Sequence, residues 1–115
     1  MTETRIKLPF PPSGHALFKR HNGSHLSAKY RAWRDDAGWL LKSQKPEPVA
    51  GTVELQIDLV NPNKVRRDVS NHIKAVEDLL VEHGIIEADD HRVVRSISAR
   101  WLDAGEPCVV TVRAA

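Results

Sequence analysis

Cysteine is almost absent from this sequence of 115 residues, which contains only Cys108. A lone cysteine cannot form a disulfide within the chain, so the fold cannot depend on one. Cys108 lies in the apolar run "PCVVTV", which is typical of a strand. We therefore expect a buried thiol without a chemical role.

Long apolar runs are missing as well. No run approaches the roughly 18 residues that a transmembrane helix needs, and the N-terminus alternates polar and apolar side chains instead of forming the apolar core of a secretory signal. We therefore expect a cytoplasmic protein without a membrane partner. With 41% hydrophobic and 28% charged residues, the composition is typical of a globular chain, and the length suits a single domain over residues 1–115.

A strong excess of one charge is also lacking, because the net charge is only +2 and the pI is near 8.9. This balance is compatible with nucleic-acid binding but too mild to demonstrate it. The distribution is more informative than the total. Basic residues gather in "FKRHNGSHLSAKYRAWR", "NKVRR" and "HRVVRSISAR".

Hydrophobic periodicity predicts the order strand, helix, strand, helix, strand, strand. The predicted strands cover residues 4–9, 52–60, 92–102 and 107–114, and the predicted helices run from a Ser27 cap to about Ser43 and from Val69 to His83. Residues 10–25 are predicted as a long loop, and the last two strands as a hairpin closed by the "DAGE" turn. We expect an α+β fold in which a mixed sheet packs against the two helices.

The second predicted helix has an apolar side and a polar side, and the polar side carries Asn71, Lys74 and Asp78. A solvent-exposed pair of Lys74 and Asp78, four residues apart, explains this side without any function. The alternative is that the Lys74 ammonium offsets charge on a phosphate that is being cleaved.

Three acids flank the same helix: Asp68 precedes it, and Asp89 and Asp90 follow it. Divalent metals that catalyse phosphodiester hydrolysis are held by oxygen ligands from separate elements, and these carboxylates are of that kind. Helix capping by Asp68 and an ordinary acidic surface turn explain the same residues equally well.

The segment "RRDVSNHIKAVEDLLVEHGIIEADDHRV" resembles the central motif of the RusA family of Holliday-junction resolvases. In that motif Arg-Asp-x-Asp-Asn is followed by Lys, Asp, Leu, Gly and an Asp-Asp pair. The segment "IKLPFPPSGHALFKRHNGSHLSAKYRAWRD" is similar to the family's first strand, Pro-Pro-Ser loop and first helix. The resemblance therefore covers nearly the whole chain.

This resemblance implies a homodimeric endonuclease that uses Mg²⁺, with Mn²⁺ as a possible substitute. It would bind branched DNA and resolve four-way junctions by paired symmetric cuts in recombination and repair, and such enzymes are common in phages and prophages. The implied catalytic residues are Asp68, Lys74 and Asp90, of which the two acids hold the metal. The residues carried over in lesser roles are Asp89 as an accessory metal ligand and Asn71 and Asp78 as supporting residues.

Under the same resemblance, basic side chains in and after the long loop and on the turn before the motif contact flanking DNA phosphates. These are Lys19, Arg20, Lys29, Lys64, Arg66 and Arg67. Trp33, Trp39 and Trp101 are candidates for stacking on bases, but tryptophans at helical or strand spacing are more often core residues. We expect Trp33 in the core.

Ser70 departs from the family pattern, which has an acid at this position, and His15 stands where the family usually has Asn. Loss of a carboxylate removes a strong oxygen ligand and weakens magnesium binding. One alternative is that the Ser70 hydroxyl still ligates the metal, directly or through water, or that Asp89 replaces the missing acid. The other is that Ser70 is a helix N-cap and that the protein binds junctions with weak or no cutting.

Overall fold

The computed structural model describes residues 3–14, 18–20 and 24–115, with the backbone alone for 18–20 and 24–26. Its elements are β1 (Glu3–Leu8), β2 (Phe18–Arg20), β3 (Ser24–Leu26), α1 (Ala28–Ser43), β4 (Val53–Val60), a 3-10 turn (Val69–His72), α2 (Lys74–Glu82), β5 (Val94–Leu102) and β6 (Cys108–Ala114). The predicted α+β class and the order of the main elements are confirmed.

A four-stranded mixed sheet in the order β1-β6-β4-β5 forms the centre of the fold. Strand β6 runs antiparallel to β1 and β4, whereas β5 runs parallel to β4. The predicted hairpin of the last two strands is wrong, because β4 lies between them and Leu59 pairs with both Trp101 and Cys108. The connection at residues 103–107 has to cross only two strand spacings, about 10 Å, which a short turn spans as easily as a hairpin does.

The loop predicted over residues 10–25 contains a short antiparallel pair of strands. In it Phe18 pairs with Leu26 and Arg20 with Ser24. The prediction of a structureless loop is therefore wrong in this part. Pairing within the loop satisfies backbone groups that an open connection would have to leave to water.

One face of the sheet is apolar and packs against the two helices. Because side chains alternate along a strand, Leu55, Ile57 and Leu59 of β4 all point into this core. Cys108 lies in the same layer, and burial raises the pKa of its thiol to about 12. The expectation of a buried thiol is confirmed, and at neutral pH it is protonated and therefore a poor nucleophile.

The opposite face of the sheet is polar and contains a buried acid, Asp58, which is 6% exposed. The Arg100 Nε donates to Asp58 Oδ1 at 2.7 Å, and the Gln56 Nε2 donates to the same oxygen at 3.2 Å. The hydrogen bond from Arg100 lowers the pKa of Asp58 more than its burial raises it. This carboxylate therefore remains charged at neutral pH and links β4 to β5.

Helix α1 begins where the sequence predicts, because Ser27 Oγ accepts a hydrogen bond from the Tyr30 backbone N–H at 3.0 Å. Its apolar side includes Trp33, which is 7% exposed. The Trp33 Nε1 donates to the Pro9 carbonyl at 3.0 Å. The expected core position of Trp33 is confirmed, and its indole also fixes the start of the Pro-Pro loop.

The helix predicted from Val69 to His83 is divided into the 3-10 turn and α2. The turn is closed by a hydrogen bond from Asn71 N to Asp68 O at 3.0 Å, a spacing of three residues. Ser70 lies inside this turn and Ile73 is the N-cap residue of α2, so the alternative of Ser70 as an N-cap is wrong. Gly84, with φ of +68°, follows the C-cap residue His83, the position where a helix commonly ends on a left-handed glycine.

Candidate active site

Asp68 lies immediately before the 3-10 turn, with extended backbone angles of φ −95° and ψ 129°. Its carbonyl closes the turn, but its side chain makes no capping hydrogen bond. Capping therefore does not explain this acid. The carboxylate is exposed and borders a cavity that Ser13, Asn71 and His72 also line.

Lys74 is the first residue of α2, and its ammonium lies between two acids from different parts of the chain. Lys74 Nζ is 3.0 Å from Asp78 Oδ1 and 3.3 Å from Asp89 Oδ2. The hydrogen bond to Asp78, followed by the smaller contribution of Asp89, raises the pKa of Lys74. Helical spacing explains the first contact, whereas the second exists only because the turn after α2 folds back towards the start of that helix.

Asp89 and Asp90 have different partners although they are adjacent in sequence. Asp89 faces Lys74, and both carboxylate oxygens of Asp90 accept hydrogen bonds from the Arg92 side chain at 3.1 and 2.7 Å. The Arg92 backbone N–H also donates to Asp90 Oδ1 at 2.9 Å. These bonds lower the pKa of Asp90 from 3.8 to about 2, so the carboxylate is ionised at every physiological pH.

The acids match the chemistry of a magnesium site, because Mg²⁺ prefers oxygen ligands and uses one or two carboxylates with water in the remaining positions. Within the described part of the chain, no three His, Cys, Asp or Glu side chains come together as a metal-binding group. The donors fit a site with few protein ligands, and not a cage made by this single chain.

The Pro-Pro loop packs directly on the turn that follows Asp68. His72, which is 3% exposed, has its Nδ1 at 2.9 Å from the Pro11 carbonyl oxygen. Its ring lies 4.9 Å from Phe10 and 6.1 Å from Trp101, measured between ring centroids. This aromatic cluster holds the 3-10 turn that follows Asp68 against the Pro-Pro loop and the sheet.

The prediction from sequence did not include His72. Its spacing was the signal that could have indicated a buried position. Residue 72 follows Val69 by three positions and precedes Val76 by four, so it lies on the apolar side of the segment. Phe10 and Arg92 were also missed. The bond from the Arg92 backbone N–H to Asp90 is the local contact that an aspartate in a turn favours, but the spacing does not indicate that the Arg92 guanidinium also binds that carboxylate.

Comparisons with known proteins identify the family of this chain. The family model for Endodeoxyribonuclease RusA matches residues 9–113. The chain belongs to the RusA family. Relatives include the Crossover junction endodeoxyribonuclease RusA of Escherichia coli (strain K12) and that of Enterobacteria phage 82, each 33% identical over 101 residues, or 83% of this chain and 84% of the relative. The family predicted from the motif is thereby confirmed.

The basic residues predicted to contact DNA lie in three places in this RusA-family chain. Lys64 and Arg66 are exposed on the connection between β4 and the 3-10 turn, and Lys29 is exposed in the first turn of α1. Lys19 and Arg20 belong to β2, but their side chains lie outside the described part, as does the whole of His15.

Arg67 differs from the other basic residues because it is held in place. Its Nη1 donates to Asn61 Oδ1 at 2.6 Å and to Asn63 Oδ1 at 2.8 Å. Its guanidinium carbon lies 5.6 Å from the centre of the Phe10 ring, which is within cation–π range. One donor edge of the guanidinium is therefore occupied by the turn.

The other two tryptophans lie in different environments. Trp39 is 77% exposed on α1, and Trp101 is half-buried against Phe10.

Within the part of this RusA-family chain that the structure describes, no helix is long and apolar enough to cross a bilayer.

Proposed function

We propose that this chain is a divalent-metal-dependent endonuclease that cuts four-way DNA junctions in recombination and repair, in the cytoplasm. The proposal rests on the RusA motif and on the relatives, which are named crossover junction endodeoxyribonucleases. The strongest structural support is the contact of Lys74 with Asp89 at 3.3 Å. It joins the helical part of the motif to the Asp-Asp pair at its end. A purely solvated helix face would not require that contact.

In this proposal Asp68 and Asp90 hold Mg²⁺ or Mn²⁺, with Asp89 and Ser70 as accessory oxygen ligands. A bound divalent cation supplies charge stabilisation at the scissile phosphate and lowers the pKa of water. Lys74 contributes a fixed positive charge beside the phosphate oxygens. Asp78 holds that ammonium in position at 3.0 Å, and the Asn71 backbone N–H closes the 3-10 turn that follows Asp68.

Paired symmetric cuts need two active sites with opposite orientation, and we therefore propose a homodimer with two-fold symmetry. Two copies also bring a second set of acids to the DNA. This matters because one chain by itself does not gather a three-acid cluster within its described residues.

A second candidate function is a junction-binding protein with weak or no cutting. Two observations favour it over full activity. Ser70 supplies no charge where the family has an acid, and both Asp90 oxygens are bonded to Arg92. A metal must displace that arginine or share the carboxylate with it.

A cleavage assay on a synthetic four-way junction, with Mg²⁺ or Mn²⁺ and a linear duplex of the same sequence as control, tests the main proposal. We expect metal-dependent nicks in opposed strands of the junction, an uncut duplex, and loss of cutting without loss of binding in Asp90→Asn. Tight junction binding with no cutting in either metal would leave the second candidate. Absence of salt-sensitive DNA binding would overturn both.

A further inference from the structure

A small cavity opens between the Pro-Pro loop, α1 and the turn before Asp68, and we call it the Phe10 pocket. It has a volume of about 130 Å³, and its walls include Phe10, Pro12, Lys29, Trp33, Arg67 and His72. Artificial cavities of roughly 150 Å³ hold one benzene ring. The Phe10 pocket, at about 130 Å³, is slightly smaller than such a cavity, so it is comparable in size with one six-membered aromatic ring and far too small for a base pair.

The Phe10 pocket is continuous with the candidate active site. The cavity that borders Asp68 shares Ser13, Arg67 and His72 with it. A group in the Phe10 pocket therefore lies one cavity away from the carboxylate at which the phosphate would be cut.

The walls combine flat apolar groups with fixed positive charge. Phe10 is half-buried and packs nearly parallel to Trp101, with 15° between the ring planes. Arg67 lies over the Phe10 ring and is held there by its bonds to Asn61 and Asn63. An aromatic surface beside an arginine and a lysine is the combination that binds unpaired bases together with their phosphates.

We propose that the Phe10 pocket receives the base of one unpaired nucleotide next to the scissile phosphate, with Lys29 contacting a phosphate of the same strand. The inference rests on the proposed function, because it requires DNA at Asp68. Extruding a base costs unpairing and unstacking energy, and this cost is smallest where pairing or stacking is already weakened, as it is when protein binding opens the exchange point of a junction. The pocket would thus favour branched over linear DNA.

The test uses four-way junctions that carry one 2-aminopurine at successive positions around the exchange point, because the fluorescence of this base is quenched by stacking. Each junction is bound to the full-length protein, in EDTA and in Mg²⁺, and binding is measured on the same samples by mobility shift. We expect one position to change in fluorescence on binding. That change should disappear in Phe10→Leu and in Lys29→Gln.

Lys42→Gln is the matched control, since it removes the same charge from the last turn of the same helix, α1. It should keep the fluorescence change. Lys29 is exposed, so Lys29→Gln tests the pocket even if Phe10→Leu disturbs the aromatic cluster. Junction binding without any position-specific change, or with a change that both pocket variants retain, would overturn this inference while leaving the proposed function intact. No junction binding at all would overturn the proposed function and this inference with it.

Discussion

Replacing Arg92 with glutamine removes the ion pair that now engages the Asp90 carboxylate and so tests whether that carboxylate can bind a metal. Arg92 makes two side-chain hydrogen bonds to the carboxylate and one from its backbone N–H. The substitution removes the side-chain bonds and the charge but keeps the backbone bond. The pKa of Asp90, now about 2, should therefore rise towards the ordinary value of 3.8 but stay below it, because the backbone hydrogen bond remains; NMR of the carboxyl carbon during an acid titration measures it.

The same substitution should strengthen metal binding. It frees Asp90 Oδ2, leaves Oδ1 with the backbone hydrogen bond alone, and removes a positive charge that repels an incoming cation. Because Mn²⁺ carries two charges, one exposed unit charge at about 8 Å in water accounts for roughly a fivefold change in its binding constant. We expect Mn²⁺, titrated without DNA and followed by paramagnetic broadening at Asp90, to bind about fivefold more tightly in Arg92→Gln.

Arg95→Gln is the control for these measurements. It removes the same charge from a nearby position, but Arg95 donates to the His91 carbonyl, at 3.0 Å, and to no carboxylate. It should leave the pKa of Asp90 and the affinity for Mn²⁺ unchanged. A pKa of Asp90 that does not rise in Arg92→Gln would refute the ion pair. A normal rise without stronger Mn²⁺ binding would refute Asp90 as a metal ligand.

Three further predictions concern stability and cutting. Leu80→Ala removes a fully buried side chain and should lower the free energy of unfolding by about 2–5 kcal/mol in urea denaturation. Asp58→Ala removes the partner of Arg100 and should lower the free energy of unfolding by about 1.5–3 kcal/mol at pH 7. Folding lowers the pKa of Asp58, so this contribution to stability is complete above about pH 4. It is lost as the pH falls through the pKa of Asp58 in the folded state. Ser70→Asp restores the family's acid and should raise the rate of junction cleavage in Mg²⁺.

Each of these predictions has an outcome that would contradict it. Val81→Ala, at an exposed position of the same helix, should cost less than Leu80→Ala, and equal losses would mean that Leu80 is not a core residue. A stability difference for Asp58→Ala that persists unchanged at pH 2 would argue against a charged Asp58 as its source. No gain of cutting in a folded, junction-binding Ser70→Asp protein would show that the missing acid is not what limits activity.

The fold was largely predictable where local patterns decide it. The alternation in β4 and the cap at Ser27 depend on neighbours in sequence, and both predictions are confirmed. The hairpin prediction failed because a short turn fixes the direction of the next strand and not its partner. The helix prediction failed at its first turn, where the buried contact of His72 with Pro11, across the fold, accompanies a 3-10 conformation.

The sequence by itself determined which chemical groups this protein carries, their order, and the family to which the chain belongs. A motif such as Asp68, Lys74, Asp89 and Asp90 is recognised from the residue types and their spacing alone. The tertiary structure alone decided which of these groups meet. It brought Asp89 to the Lys74 ammonium, packed His72 on Pro11, and built the Phe10 pocket from three separate parts of the chain. The reason is physical: contacts between distant residues follow from how the sheet and helices pack, and no local periodicity encodes that packing.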